Sequence, residues 1–397
     1  MRVLFSTTAG SGHFGPLIPF ARACGDAGHE VKVGAPSSFA AAVVGAGLEH
    51  APFADVPPEI IGPIFGRLPD VSFEEANETV LAEIFGRLDA QAALPALTEI
   101  IDVWQPDIVV REPCEFGSLV AAERAGVLQV QVAIGVGGNA GYALPILAAP
   151  LAELSVIAGL PDDRAMRTLL TTPGFTCVPA TLDNLAAHEL TADYSVREGG
   201  AVWRFQDASL TAGPGSLPPP WGDPEQPLVY VTFGSVTAGV GSFAALYPET
   251  LAALADLPVR VLMTTGEGGD PMSLEPVPAN AHVERWWPQA DVMPHAEVVV
   301  GHGGFGTTMM ALAAGVPQVI VPLFAFDQTI NAERVAAIGA GIHLSGGLAA
   351  PAAIPSALTR VLTDPTYRQR AQEIAAEMER LPDVATSVPI LQELAGR

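Results

Sequence analysis

One stretch constrains this chain more than any other: Val298-Val-Val-Gly-His-Gly-Gly-Phe-Gly-Thr-Thr-Met-Met-Ala-Leu-Ala-Ala-Gly-Val-Pro-Gln-Val-Ile-Val-Pro322. It reads as a buried strand, a glycine loop, a short helix and a second buried strand. The apolar runs Val298–Val300 and Val319–Val321 are short and β-branched, as fully buried parallel strands are. Gly303, Gly304 and Gly306 leave room for a ligand against bare backbone. A helix opening at Thr307 would aim its free N–H groups and positive dipole end at the same place, which suits a diphosphate.

A chain of 397 residues predicts two domains rather than one core. Its net charge of −24 and its single lysine, Lys32, argue against nucleic acid and anionic membranes as partners, because both need basic patches. Cys24, Cys114 and Cys177 are too few and too scattered for a disulfide framework or a zinc site. The beginning of the chain lacks the pattern of a signal peptide, and no apolar run has spanning length. A cytoplasmic location is the expectation.

The first half alternates strands and helices. Arg2–Ser6, Glu30–Gly34, Asp107–Val110 and Leu128–Ala133 read as strands; Pro16–Ala27 and Phe116–Ala125 read as helices closed by Gly28 and Gly126. This is the rhythm of a doubly wound sheet. Residues 51–100 and 135–200 break it and read as insertions. Gly213-Pro-Gly-Ser-Leu-Pro-Pro-Pro-Trp-Gly-Asp-Pro224 reads as a stiff extended linker. The rhythm then restarts with strand Leu228–Phe233, a helix near Phe243–Ala255 and strand Arg260–Met263. Tyr367–Glu379 and Pro389–Ala395 read as terminal helices. The expected division is 1–210, a linker at 211–226, a second domain at 227–378, and 379–397 returning to the first domain. Two such sheets facing each other would form a cleft at their strand carboxyl ends.

Val229-Tyr-Val-Thr-Phe-Gly-Ser235, Trp286-Trp-Pro-Gln289, Gly301-His-Gly-Gly-Phe-Gly-Thr307 and Asp327-Gln328 occur in that order. Together they resemble the donor-binding half of GT-B nucleotide-sugar glycosyltransferases of family GT1, above all bacterial enzymes that decorate antibiotics and other natural products. Ala9-Gly-Ser-Gly-His-Phe-Gly-Pro16 resembles the catalytic-histidine loop of that family. The resemblance spans the whole chain and implies an α/β GT-B fold of two Rossmann-like domains.

It also implies roles. Trp286 would stack on a nucleobase and Gln289 would hydrogen-bond the base or its sugar; packing is the alternative for Trp286 and Trp287 alike. His302, Gly303, Gly304 and Thr307 would hold the diphosphate, where the alternative is a tight structural turn. Ser235 would close that loop or cap a helix. Asp327 and Gln328 would grip sugar hydroxyls, although Asp327 could instead cap the helix expected near Thr329. Many family members carry a glutamate, three residues past the loop hydroxyl, that holds the ribose. Here Met310 stands there, which fits a deoxyribose nucleotide such as dTDP better than UDP.

His13 is the expected general base. Glu112, in Val109-Val-Arg-Glu-Pro113, is its expected orienting partner, where the family commonly has aspartate. The alternatives for Glu112 are a solvated loop carboxylate or a partner for Arg111, and Glu115 is the reserve candidate. The implied reaction is inverting transfer from a dTDP- or UDP-sugar to a small hydrophobic aglycone, with the sugar nucleotide as co-substrate and neither cofactor nor metal. Gly141–Leu151, Ile60–Phe65 and Ile84–Phe85 are apolar enough to line an aglycone pocket or to be core. A homodimer is compatible with this reading. The rival class is an auxiliary, non-catalytic glycosyltransferase-like partner protein.

Overall fold

A computed structural model describes residues 1–137, 139–183, 201–210, 213, 215–235, 237–239 and 243–396. The chain divides into two compact units. The first takes residues 1–177, 201–207 and 381–396 of the described chain, and the second takes 178–183 and 208–380.

In the first unit, β1 (Arg2–Ser6), β2 (Glu30–Pro36), β3 (His50–Phe53), β4 (Ile108–Arg111), β5 (Leu128–Val132), β6 (Gly174–Thr176) and β7 (Val202–Arg204) form one sheet in the order β3-β2-β1-β4-β5-β6-β7. Every pairing is parallel. β1 and β4 are buried through nearly their whole length, as a sheet covered on both faces requires. Phe5, Phe20, Val110 and Phe175 pack on one face, and Leu4, Leu97, Val109 and Leu119 on the other.

The second unit repeats the plan. β8 (Leu228–Thr232), β9 (Arg260–Thr264), β10 (Ala281–Glu284), β11 (Ala296–Gly301), β12 (Gln318–Ile320) and β13 (Gly341–His343) lie in the order β10-β9-β8-β11-β12-β13, again all parallel. In each sheet the order reverses direction at one pair of strands: β1 and β4 in the first, β8 and β11 in the second. Open α/β sheets bind ligands beyond the carboxyl ends of such a pair.

Three expected boundaries shift. Helical backbone begins at Ser11 rather than Pro16, so His13 rides on a short helix, Ser11–Phe14, instead of a free loop. The glycine-loop helix runs Phe305–Ala313, so Thr307 is its third residue rather than its first. Residues 178–183, expected in the first domain, pack with the second unit, where the Thr181 N–H donates to Glu377 Oε1 at 3.1 Å.

The Pro/Gly-rich stretch is anchored along the second unit rather than free. Trp287 Nε1 donates to the Ser216 carbonyl at 2.8 Å, Ser216 Oγ donates to Asp291 Oδ2 at 2.8 Å, and the Arg260 guanidinium lies over the Trp221 ring. Thr211, Ala212 and Pro214 fall outside the described residues. Among the described residues, no helix is long and apolar enough to cross a membrane.

The C-terminal helix, Ser387–Leu394, packs in the first unit on Ile18–Asp26, and Leu391 is fully buried. The chain is tied there by the Gln206 N–H, which donates to the Pro382 carbonyl at 2.7 Å. Removing the Leu391 side chain leaves a cavity at the sheet face. Leu391→Ala is expected to destabilise the first unit by about 2–4 kcal/mol in urea unfolding. A change of less than about 0.5 kcal/mol would place the helix outside that core.

Candidate active site

β1 and β4 each deliver one polar residue beyond the sheet of the first unit. After β1 the backbone turns through Thr7 and Thr8 into the helix that carries His13. After β4 comes Glu112, whose N–H donates to the Ser6 carbonyl at 3.2 Å. The Glu112 carboxylate is fully buried, and Oε1 lies 3.2 Å from His13 Nδ1. Oε1 also accepts the Thr8 N–H at 3.2 Å and the Thr8 hydroxyl at 3.0 Å, while Oε2 accepts the Cys114 N–H at 2.5 Å. Burial alone would raise this carboxyl. His13 beside it, with the N–H groups of Cys114 and Thr8, holds it below its ordinary range instead. Glu112 is therefore an ionised carboxylate in a dry setting and not a solvated loop acid. Arg111 beside it is buried too, and its guanidinium donates to the Glu112 backbone carbonyl at 3.1 Å and to Gln131 Oε1 at 3.2 Å.

The His13 side chain is 23% exposed, so its ring meets solvent while its partner does not. The Phe85 ring covers it at a centroid distance of 5.2 Å. Phe85 belongs to a wide π-helical segment, Val80–Asp89, a rare geometry that often marks functional positions. The same segment ends in Asp89, which belongs to no motif of the chain. Burial raises its carboxyl to about 6, opposed by His13 and reinforced by Glu112, Glu115 and Asp55. Glu115, the reserve candidate, faces elsewhere: both its oxygens accept the Ser118 N–H at 3.1 Å, at the start of the helix Gly117–Ala125.

Of the apolar stretches, Leu147 and Leu151 are core. Ile60 and Phe65 are 46% and 51% exposed on a helix, Pro58–Arg67, that buries none of its residues.

In the second unit β11 ends at Gly301 and the chain turns at Gly303, whose φ of +87° is left-handed. A side chain there would be strained, and its Cβ would meet the Gln328 carbonyl at 2.8 Å. The Gly303 carbonyl is fixed by Asn331 Nδ2 at 2.8 Å. Gly304 then caps the helix Phe305–Ala313 with no side-chain acceptor and no acidic residue in the first turn. The first N–H groups of that helix are thus left for a ligand. His302 is buried between Gly234, at the end of β8, and Gly304; a Cβ at either glycine would lie within 3 Å of the ring. Burial lowers its imidazole to about 4, so at neutral pH it is an uncharged hydrogen-bonding group.

Gln289 Nε2 donates to Thr307 Oγ1 at 3.0 Å, which ties the tryptophan turn to the glycine loop. Trp286 is 66% exposed, so packing does not explain it, whereas Trp287 packs against the Leu228 and Tyr230 cluster. Ser235 is exposed beyond β8. Asp327 lies within the helix Phe326–Ala337, whose cap is Ala325, so Asp327 is not that cap. Gln328 departs from expectation. It is buried, and its Oε1 accepts the N–H groups of Leu323 and Phe324 at 2.9 and 3.2 Å. Its amide NH₂ alone is left for a sugar, not a paired contact. Met310 is partly buried against the sheet.

Two pH dependences follow. Below pH 6.5 the unfolded chain protonates His302 while the folded chain resists down to about 4. Stability is complete above that window and falls through it by on the order of 3 kcal/mol. Unfolding at pH 7.5 and pH 5 is expected to show a smaller loss in His302→Asn than in the wild type; equal losses would contradict a buried neutral imidazole. Asp89 behaves oppositely, because its ordinary value of 3.8 is raised to about 6. The cost is complete above about 6 and relieved as pH falls towards 3.8. Asp89→Asn is expected to stabilise at pH 7.5 by on the order of 1–2 kcal/mol, allowing for solvent screening, with the gain gone near pH 4. A destabilised variant at pH 7.5 would refute this.

Two parts of the chain, residues 22–156 and 248–394, match the N-terminal and C-terminal domains of the family described as erythromycin biosynthesis protein CIII-like. Among curated relatives, the chain is 32% identical over 400 residues to L-demethylnoviosyl transferase of Streptomyces niveus, covering 97% of this chain and 96% of that one. It is 28% identical over 440 residues to TDP-daunosamine transferase DnrS of Streptomyces peucetius, covering 100% and 97%. Among solved structures, CalG4, the calicheamicin glycosyltransferase, superposes with a TM-score of 0.79 at 25% identity, covering 100% of this chain and 98% of that one. The chain belongs to the erythromycin biosynthesis protein CIII-like family and is a GT-B glycosyltransferase of the bacterial natural-product type, family GT1.

Proposed function

We propose that this enzyme transfers a deoxysugar from a dTDP-linked donor to a hydroxyl of an apolar natural-product aglycone, with inversion and without a divalent metal. The observation that carries the reading is the buried, ionised Glu112 against His13 Nδ1 at 3.2 Å. A buried negative charge at that distance favours a proton on Nδ1 and stabilises the imidazolium as it forms, leaving Nε2 to take the acceptor's proton.

In the proposed step His13 removes the acceptor hydroxyl proton as the oxygen attacks the anomeric carbon. The bond to the nucleoside diphosphate breaks on the opposite face, and single displacement inverts the centre. The charge developing on the leaving group is met by the N–H groups at the start of Phe305–Ala313, by neutral His302 and by the Thr307 hydroxyl. These fixed dipoles are offered in place of a metal ion. Trp286 supplies a stacking face for the base, and Asp327 with the Gln328 NH₂ engages sugar hydroxyls. Phe85, Ile60 and Phe65 supply apolar surface for the aglycone.

Preference for dTDP is supported by Met310, a thioether that cannot bind ribose hydroxyls, and by the TDP-sugar named for the relative DnrS. The test is thermal unfolding with TDP and with UDP, each with and without magnesium. A ligand at a hundredfold its Kd stabilises by about 2.7 kcal/mol, which is readily seen. A larger shift with TDP than with UDP, unchanged by magnesium, is expected. A larger UDP shift would overturn the dTDP assignment, and a shift that requires magnesium would overturn the metal-free donor site.

A further inference from the structure

We propose that His13, Glu112 and Cys114 form a site for a borderline-soft divalent cation such as zinc, and that the cation, by occupying the catalytic imidazole, switches sugar transfer off. One ligand atom from each residue lies within 4.8 Å of the other two, and no other such group of three occurs among the described residues. The donor set is an imidazole nitrogen, a carboxylate oxygen and a sulfur, the combination that zinc accepts with a fourth position left open.

The local fold makes the cluster. The Cys114 N–H donates back to Glu112 Oε2 at 2.5 Å, which curls the chain, and the thiol lies within 4.8 Å of the carboxylate. Glu112 forms a buried floor, while His13 and Cys114 are half-buried and make the entrance. Tetrahedral zinc with bonds of roughly 2.0–2.3 Å puts its ligands on the order of 3.5 Å apart, and here His13 Nδ1 and Glu112 Oε1 are already 3.2 Å apart and all three donors lie within 4.8 Å. Binding replaces the thiol proton with the metal–sulfur bond, the proton passing to solvent, and moves the His13 Nδ1 proton to Nε2, which leaves Nε2 protonated and unable to act as base. Cys114 takes no part in the transfer step, which needs only the other two residues.

The site rests on the placement of three side chains, whereas the switch rests also on the proposed role of His13 as base, so metal binding and its effect on transfer are read separately. The test is titration of the full-length, tag-free protein with Co²⁺ as a spectroscopic substitute, followed by Zn²⁺. One equivalent is expected to bind with a sulfur-to-cobalt charge-transfer band, and zinc is expected to displace it. Cys114→Ser should lose the band, and both Cys114→Ser and His13→Asn should weaken zinc binding at least tenfold. Thermal unfolding without metal confirms that the variants are folded. In the wild type, equimolar zinc should suppress transfer and a chelator should restore it. No charge-transfer band in the wild type, or a band retained in Cys114→Ser, would overturn the site; full transfer with zinc bound would overturn the switch.

Discussion

Glu112 is a carboxylate with no exposed surface, and its ionisation is a cost that neighbouring groups must offset. Thr8 offsets it twice, through its N–H and its hydroxyl, and the Cys114 N–H does so again. What these bonds leave is a fixed negative charge whose outward side faces His13. A solvated carboxylate at this distance would be screened and free to turn, and would orient the ring poorly. The sheet supplies the rest of the rigidity, because β1 and β4 are adjacent parallel strands and the two loops leave them side by side. A glutamate does here what a shorter carboxylate would do only if the loops came closer.

The second unit solves the opposite electrostatic problem by different means. In the proposed function a diphosphate has to be held by a protein of net charge −24. The donors assembled at the glycine loop are neutral: uncapped backbone N–H groups, the uncharged imidazole of His302, and a hydroxyl tied to Gln289. Their advantage is fixed direction. His302 is confined between two glycines, and the Gly303 carbonyl is held by Asn331. Dipoles held in place need no rearrangement when the leaving group acquires charge, which is the condition for stabilising a transition state over a ground state.

Much of this was legible in the sequence where the signal is local. Short β-branched runs and glycine stops located β1, β2, β4, β5, β8, β9 and β11 to within a residue or two, because buried parallel strands leave little compositional freedom. Packing of Trp287 but not of Trp286, and the backbone duty of Gln328, were not legible, because each depends on what a remote segment presents: Ser216 in one case and the Leu323–Phe324 turn in the other. Asp89 was invisible for the same reason. Its environment is built by His13, Glu112, Glu115 and Asp55, four residues scattered through the first unit, and an isolated aspartate at the end of an apolar segment carries no pattern. The early start of the His13 helix escaped notice because Gly10, Gly12 and Gly15 read as loop residues, whereas Gly10 accepts the first helical bonds from His13 and Phe14.

In the proposed function labour is divided: His13 with Glu112 would move the proton, and the glycine-loop unit would hold the donor. The most direct test is kcat for His13→Ala and Glu112→Gln on a donor–acceptor pair that the wild type turns over, with TDP affinity measured alongside. The account predicts a loss in kcat of roughly 10²–10⁴-fold in both variants with TDP affinity within about threefold of wild type. A Glu112→Gln enzyme with wild-type kcat would contradict the role of the buried charge. A His13→Ala enzyme with wild-type kcat would place the base elsewhere.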